Sequence, residues 1–131
     1  MTIAVDTNVL VRILIDDDEQ PSQVQAARQI AEKHARLFIP ATVQIELIWV
    51  LDFAYKLNKT QIITILEHLD ENDAFILQHE EQFIEALTLF ENSTASFADC
   101  IIYLQAKQAK HGLITFDKKF AKLPGVKLLP M

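Results

Sequence analysis

Ile3-Ala4-Val5-Asp6-Thr7-Asn8-Val9-Leu10-Val11-Arg12 opens the chain with an apolar run, an acid at its end, and apolar residues at helical spacing after it. The run reads as a short buried strand over residues 2–5. Residues 8–15 follow as a helix with Val9, Leu10, Ile13 and Leu14 on its inner side. Three more acids recur in comparable settings: Glu46 after Leu37-Phe38-Ile39-Pro40, Asp99 in Ser96-Phe97-Ala98-Asp99, and Asp117 after Leu113-Ile114-Thr115-Phe116. A chain that alternates strand and helix brings the carboxyl ends of its parallel strands to one edge of the sheet, where ligands bind. The four acids are therefore expected to meet as one cluster. At ~4 Å and an effective dielectric of roughly 20, two like charges repel by about 4 kcal/mol. Such a cluster holds protons or a cation, and a hard divalent ion with oxygen ligands is the simplest occupant.

The rest of the chain repeats the alternation. Helices are predicted over 22–34, 42–54, 61–69, 80–90 and 96–110, the last closed by Gly112. Further strands are predicted over 37–39, 74–77, 113–115 and 126–129, the last after the Pro124-Gly125 turn. The predicted fold is α/β: a three-layer α/β/α sandwich around a central, mainly parallel sheet of four to five strands. Two helices fall between the third and fourth strands, and the link over 92–95 is short. One of them must cross an end of the sheet, which leaves Asp99 the acid least fixed by topology.

With 131 residues, half of them hydrophobic, a single domain over residues 1–131 is expected. The net charge is -6, which does not advertise a nucleic-acid binder, yet the charge is unevenly spread. Beyond Asp99 the only acid is Asp117, among Lys107, Lys110, Lys118, Lys119, Lys122 and Lys127. This is either a solvated lysine-rich surface or a phosphate-attracting rim around an acidic site. Cys100 is the only cysteine, so no disulfide forms within the chain. The four histidines show no zinc spacing. No signal peptide and no membrane span is visible, so a soluble cytoplasmic protein is expected.

Each acid also has a plain structural reading. Asp6 can cap the first helix, Asp99 can complete a capping box with Ser96, and Asp117 can start a turn. Asp16-Asp17-Asp18-Glu19 lacks the spacing and glycine of a calcium loop and reads as a solvated turn. The helix around Trp49 is apolar nearly all round, with Glu46 standing out in it. Core packing is the plain reading of Trp49; a face for a partner is the other.

The opening motif, Glu46-Leu47-Ile48-Trp49-Val50-Leu51, Phe97-Ala98-Asp99, and Leu113-Ile114-Thr115-Phe116-Asp117 followed by Leu123-Pro124-Gly125-Val126 occur in order across essentially the whole chain. Together they resemble PIN-domain nucleases, especially the VapC-type toxins of bacterial toxin–antitoxin pairs. The resemblance implies a Mg²⁺- or Mn²⁺-dependent endoribonuclease with one or two ions held by Asp6, Glu46, Asp99 and Asp117. Thr7, Asn8, Ser96 and Thr115 match supporting polar positions, although many relatives carry Asp where Ser96 stands. Arg12, Lys118 and Lys119 are candidates for holding phosphates. A water nucleophile would leave 5′-phosphate and 3′-hydroxyl ends. The resemblance also implies a homodimer and an antitoxin whose tail lies in an apolar groove, to which Trp49, Phe53 and Tyr55 would contribute. A housekeeping RNA-processing nuclease and a catalytically silent PIN-fold binding module are the alternatives. A receiver module or an aspartate-nucleophile phosphatase fits less well, because the third strand ends at Gln78-His79 and Asn8 stands two residues after Asp6.

Overall fold

The computed structural model describes residues 1–130, and its contacts separate into two compact units, Met1–Glu80 and Glu81–Met131. In the first unit, β1 (Thr2–Ala4), β2 (Arg36–Ile39) and β3 (Phe75–Leu77) pair in parallel in the order β1-β2-β3. Ile3 lies opposite Leu37, and Leu37 opposite Phe75. Parallel neighbours need a crossover connection. Here each crossover is a helix pair: α1 (Thr7–Leu14) with α2 (Pro21–Lys33), then α3 (Ala41–Phe53) with α4 (Lys59–Glu71). α1 packs on α2 and α3, and α3 packs on α4. Leu10, Leu47, Leu51, Leu66 and Leu69 are fully buried together with Ile39, each contributing about 1.5–3 kcal/mol of burial.

Local chemistry starts these helices where it should. Pro21 occupies the first turn of α2, where its missing N–H costs nothing. Asn58 and Gln61 form a reciprocal capping box on α4. The acidic stretch after α1 is not merely solvated. Asp17 Oδ2 accepts from Arg12 Nη1 at 3.2 Å and from the Tyr55 hydroxyl at 3.0 Å. Arg12 Nη1 also donates to the Tyr55 oxygen at 2.6 Å, and Arg12 Nε to Gln23 at 2.9 Å. The end of α1, the following loop and the end of α3 are thereby clasped. Burial first, and the bond to Asp17 second, raise the Tyr55 pKa above its ordinary 10.0; the Arg12 charge acts the other way.

α3 buries a narrow stripe, Val43, Gln44, Leu47 and Leu51. Its remaining apolar residues exceed what that stripe can use. Trp49 is 64% exposed and Phe53 69%, and their rings stack at 5.0 Å with planes 6° apart. Core packing of Trp49, the plain expectation, is thus overturned: the indole lies on the outer face of a helix whose inner side is already filled.

The second unit carries α5 (Glu80–Glu91, which begins at the boundary), α6 (Phe97–Gln108), β4 (Leu113–Thr115), a 3-10 turn (Phe120–Lys122) and β5 (Val126–Leu128). β4 and β5 are parallel, with Thr115 opposite Leu128. The core is aromatic: Phe83 and Phe90 both lie against Phe97, with ring centroids 5.7 and 6.0 Å away. Leu123-Pro124-Gly125-Val126 closes as a turn with Gly125 at φ 85 and a Val126 N–H to Leu123 carbonyl bond of 3.2 Å. Glycine suits that left-handed third position. All five predicted strands exist and every pairing is parallel, in one ladder of three strands and one of two. One sequence expectation moves: α6 is closed by Lys110, at φ 63, and not by Gly112. The His111 N–H reaches the Ala106 carbonyl at 3.0 Å, so the left-handed residue falls two positions before the glycine.

Candidate active site

Two of the four predicted acids belong to the first unit. Asp6 follows β1 and is the N-cap of α1, its Oδ1 accepting the Val9 N–H at 3.0 Å. Its other oxygen takes no hydrogen bond from a described residue. Glu46 stands on the second turn of α3, exposed, and its Oε1 accepts the Thr7 hydroxyl at 2.9 Å. Thr7 is the first helical residue after Asp6, so a single side chain links the end of β1 to α3. Asn8 is exposed beside them.

A second polar contact on α3, two residues before Glu46, was not visible in the sequence reading. Gln44 is 1% exposed, the one buried polar residue among those described. Its amide nitrogen donates to the Ile39 carbonyl at 3.1 Å and the Gln78 carbonyl at 2.9 Å. Gln78 reciprocates: its Oε1 accepts the N–H of Ala41, the first residue of α3, at 2.8 Å. A lone amide within the apolar run Val43–Leu51 was the trace this left in the sequence.

The other two acids belong to the second unit. Ser96 caps α6, its Oγ accepting the Asp99 N–H at 3.1 Å. The cap uses the Asp99 backbone, and the half-buried carboxylate takes no hydrogen bond from a described residue. Asp117 lies beyond β4. Thr115 Oγ1 accepts its N–H at 3.0 Å. Asp117 Oδ1 accepts the Lys119 and Phe120 N–H groups at 2.8 and 3.2 Å, starting the turn into the 3-10 segment. Lys118 and Lys119 are exposed beside it. The cap by Asp6 and the turn at Asp117 therefore occur as weighed, while the capping box weighed for Asp99 forms only in its Ser96 half; each of the three residues keeps at least one carboxylate oxygen without a protein donor. Among the described residues, no three or more His, Cys, Asp or Glu side chains form a group able to hold a metal ion.

The sequence pattern of the PIN domain matches residues 3–126. The chain belongs to the PIN domain family. Its α/β fold of parallel strands and six helices is the PIN fold. All four acids fall inside the matched PIN region. A VapC ribonuclease of Aquifex aeolicus (strain VF5) is 29% identical over 122 residues, covering 90% of this chain and 89% of that protein. No helix among the described residues is long and apolar enough to cross a membrane.

Proposed function

We propose that this chain is a metal-dependent endoribonuclease, the toxin of a toxin–antitoxin pair, with residues 1–131 working as one PIN domain in the cytoplasm. The observation that carries the reading is the family match over residues 3–126, which encloses Asp6, Glu46, Asp99 and Asp117. Likeness to a VapC ribonuclease over 90% of the chain supports RNA as the substrate. The donor chemistry fits the implied cation. Carboxylate oxygens without protein donors are what Mg²⁺ or Mn²⁺ take. Asp6, Asp99 and Asp117 would hold one ion or two, with Glu46 as a further ligand or as base. When bound, the ion supplies a more acidic water and charge stabilisation at the phosphate.

The chain's own residues do the remainder. Glu46, steadied by Thr7, accepts the proton of the attacking water. The water oxygen bonds to phosphorus and the bond to the 3′ oxygen breaks, that oxygen taking a proton from solvent water, leaving 5′-phosphate and 3′-hydroxyl ends. Ser96 and Thr115 order the backbone at Asp99 and Asp117. Lys118 and Lys119 hold flanking phosphates. Arg12 is engaged by Asp17, Gln23 and Tyr55, so the phosphate role passes to the two lysines. The exposed Trp49–Phe53 pair supports a partner on α3, here the antitoxin. The toxin itself is expected to be a homodimer. Purified protein should cleave RNA in Mn²⁺ or Mg²⁺ and stop in chelator. Equal cleavage by wild type and Asp6→Asn would overturn the proposal, and RNA retention without cleavage would leave a binding module.

A further inference from the structure

We infer that Gln44 and Gln78 are positioning residues that set where Glu46 stands; the inference rests on the proposed nuclease reading of Glu46. α3 begins after Pro40 with no side-chain cap of its own. A helix start leaves N–H groups without partners, and the first of them, on Ala41, is taken by Gln78 Oε1. The Gln78 N–H bonds to the Ile39 carbonyl at 3.0 Å, so Gln78 is itself locked to the end of β2. Gln44 then ties the first turn of α3 to the Ile39 and Gln78 carbonyls. Both its partners are acceptors, which fixes the amide with nitrogen inward.

These three bonds hold α3 at two points, at Ala41 and one turn on at Gln44. Two residues beyond Gln44, about 200° around the helix, Glu46 projects from the other side toward Thr7. An apolar residue at position 44 would fill the space but would leave packing alone, without directional bonds, to resist a small rotation of the helix about its axis. With a side-chain radius of about 5–6 Å, a rotation of only about 10° moves the Glu46 carboxylate by about 1 Å. That displacement takes the 2.9 Å bond from Thr7 out of hydrogen-bond range. A misplacement of about 1 Å can cost about a hundredfold in rate.

The test pairs shape with hydrogen bonding. Gln78→Met keeps the shape and removes the acceptor. Gln78→Glu keeps an acceptor and adds charge at a helix N-terminus, where charge of that sign is favoured. With purified full-length protein, RNA and Mn²⁺, Gln78→Met should lower kcat about 10- to 100-fold with KM within about twofold, and Gln78→Glu should restore it. In a Glu46→Gln background, Gln78→Met should cost nothing further, whereas a merely structural role would cost the same factor again. A second readout needs neither RNA nor metal. The nuclear Overhauser contact between the Thr7 methyl and the Glu46 side chain should persist in wild type and Gln78→Glu and vanish in Gln78→Met and Gln44→Met. Loss of all cleavage in the wild type would remove the nuclease reading, while the Overhauser contact would still decide the positioning. Its persistence in folded Gln78→Met, or full additivity with Glu46→Gln, overturns the inference. If Gln44→Met does not fold, the half-buried Gln78 variants carry the test alone.

Discussion

Asp6 has two duties that a pair of substitutions can separate. Its Oδ1 accepts the Val9 N–H at 3.0 Å as the N-cap of α1, a helix of eight residues with no acid in its first turn. Replacing an N-cap Asp by Ala costs about 1 kcal/mol, within a range of about 0.5–2. Asn ranks with Asp as a cap because it offers the same oxygen. What Asn gives up is the charge beside the helix N-terminus, about 0.3–1 kcal/mol at an exposed position. Asp6→Asn should therefore lose about 0.5 kcal/mol and Asp6→Ala about 1.5 kcal/mol, together bracketing a melting shift of roughly 2–8 °C. Cleavage should behave differently. The negative oxygen without a protein donor is gone in both variants, so both should lose about a hundredfold to a thousandfold, roughly 2.7–4 kcal/mol of barrier. Urea denaturation in chelator gives the stability arm, and initial rates on a labelled RNA in Mn²⁺ give the other. The reasoning fails if Asp6→Asn cleaves within a few-fold of wild type, or if activity across the two variants simply follows stability.

Thr7→Val keeps the size of the side chain and removes the hydroxyl bonded to Glu46; cleavage should fall about 10- to 100-fold, Thr7→Ser should recover most of it, and parallel rate assays decide. Because burial raises the Tyr55 pKa above 10.0, the folded chain holds that proton after the unfolded chain has released it. This contribution is complete below the ordinary tyrosine value and is lost as pH rises through the folded value; denaturant midpoints of wild type and Tyr55→Phe across alkaline pH should show the loss in wild type alone. Lys110→Gly relieves a left-handed non-glycine residue at φ 63, which costs about 1–2 kcal/mol. After the added flexibility of the unfolded chain is subtracted, thermal melting should show a gain of about 0.5–1 kcal/mol.

Helical and strand periods in the sequence were enough to find every strand and every α-helix, with β4 (Leu113–Thr115) correct to the residue. Ends drift by a residue or two where capping decides them, as at Ala41, whose N–H is satisfied by Gln78 from a distant strand. The short 3-10 turn was missed because three residues carry no period; it was legible only as the Asp117 turn. The acids were legible as candidates because a charge just past an apolar run is unusual. Their supporting partners were legible only where they are sequence neighbours, as with Ser96 and Asp99. The Thr7–Glu46, Gln44–Gln78 and Arg12–Asp17–Tyr55 bonds depend on how helices meet, which no local pattern encodes. Arg12 shows the consequence: an arginine near an acidic motif suggests phosphate, while packing turns it to Asp17 and Tyr55.

The parallel pairing of the first unit has a consequence for synthesis on the ribosome. Ile3 must wait for Leu37, and Leu37 for Phe75, before either ladder can close. A parallel strand has no hairpin partner to shield it in the meantime. The earliest strand therefore spends the longest time with bare edges in the growing polypeptide. Slow translation between positions 5 and 36 should make this chain more dependent on chaperones than the same delay placed after residue 80.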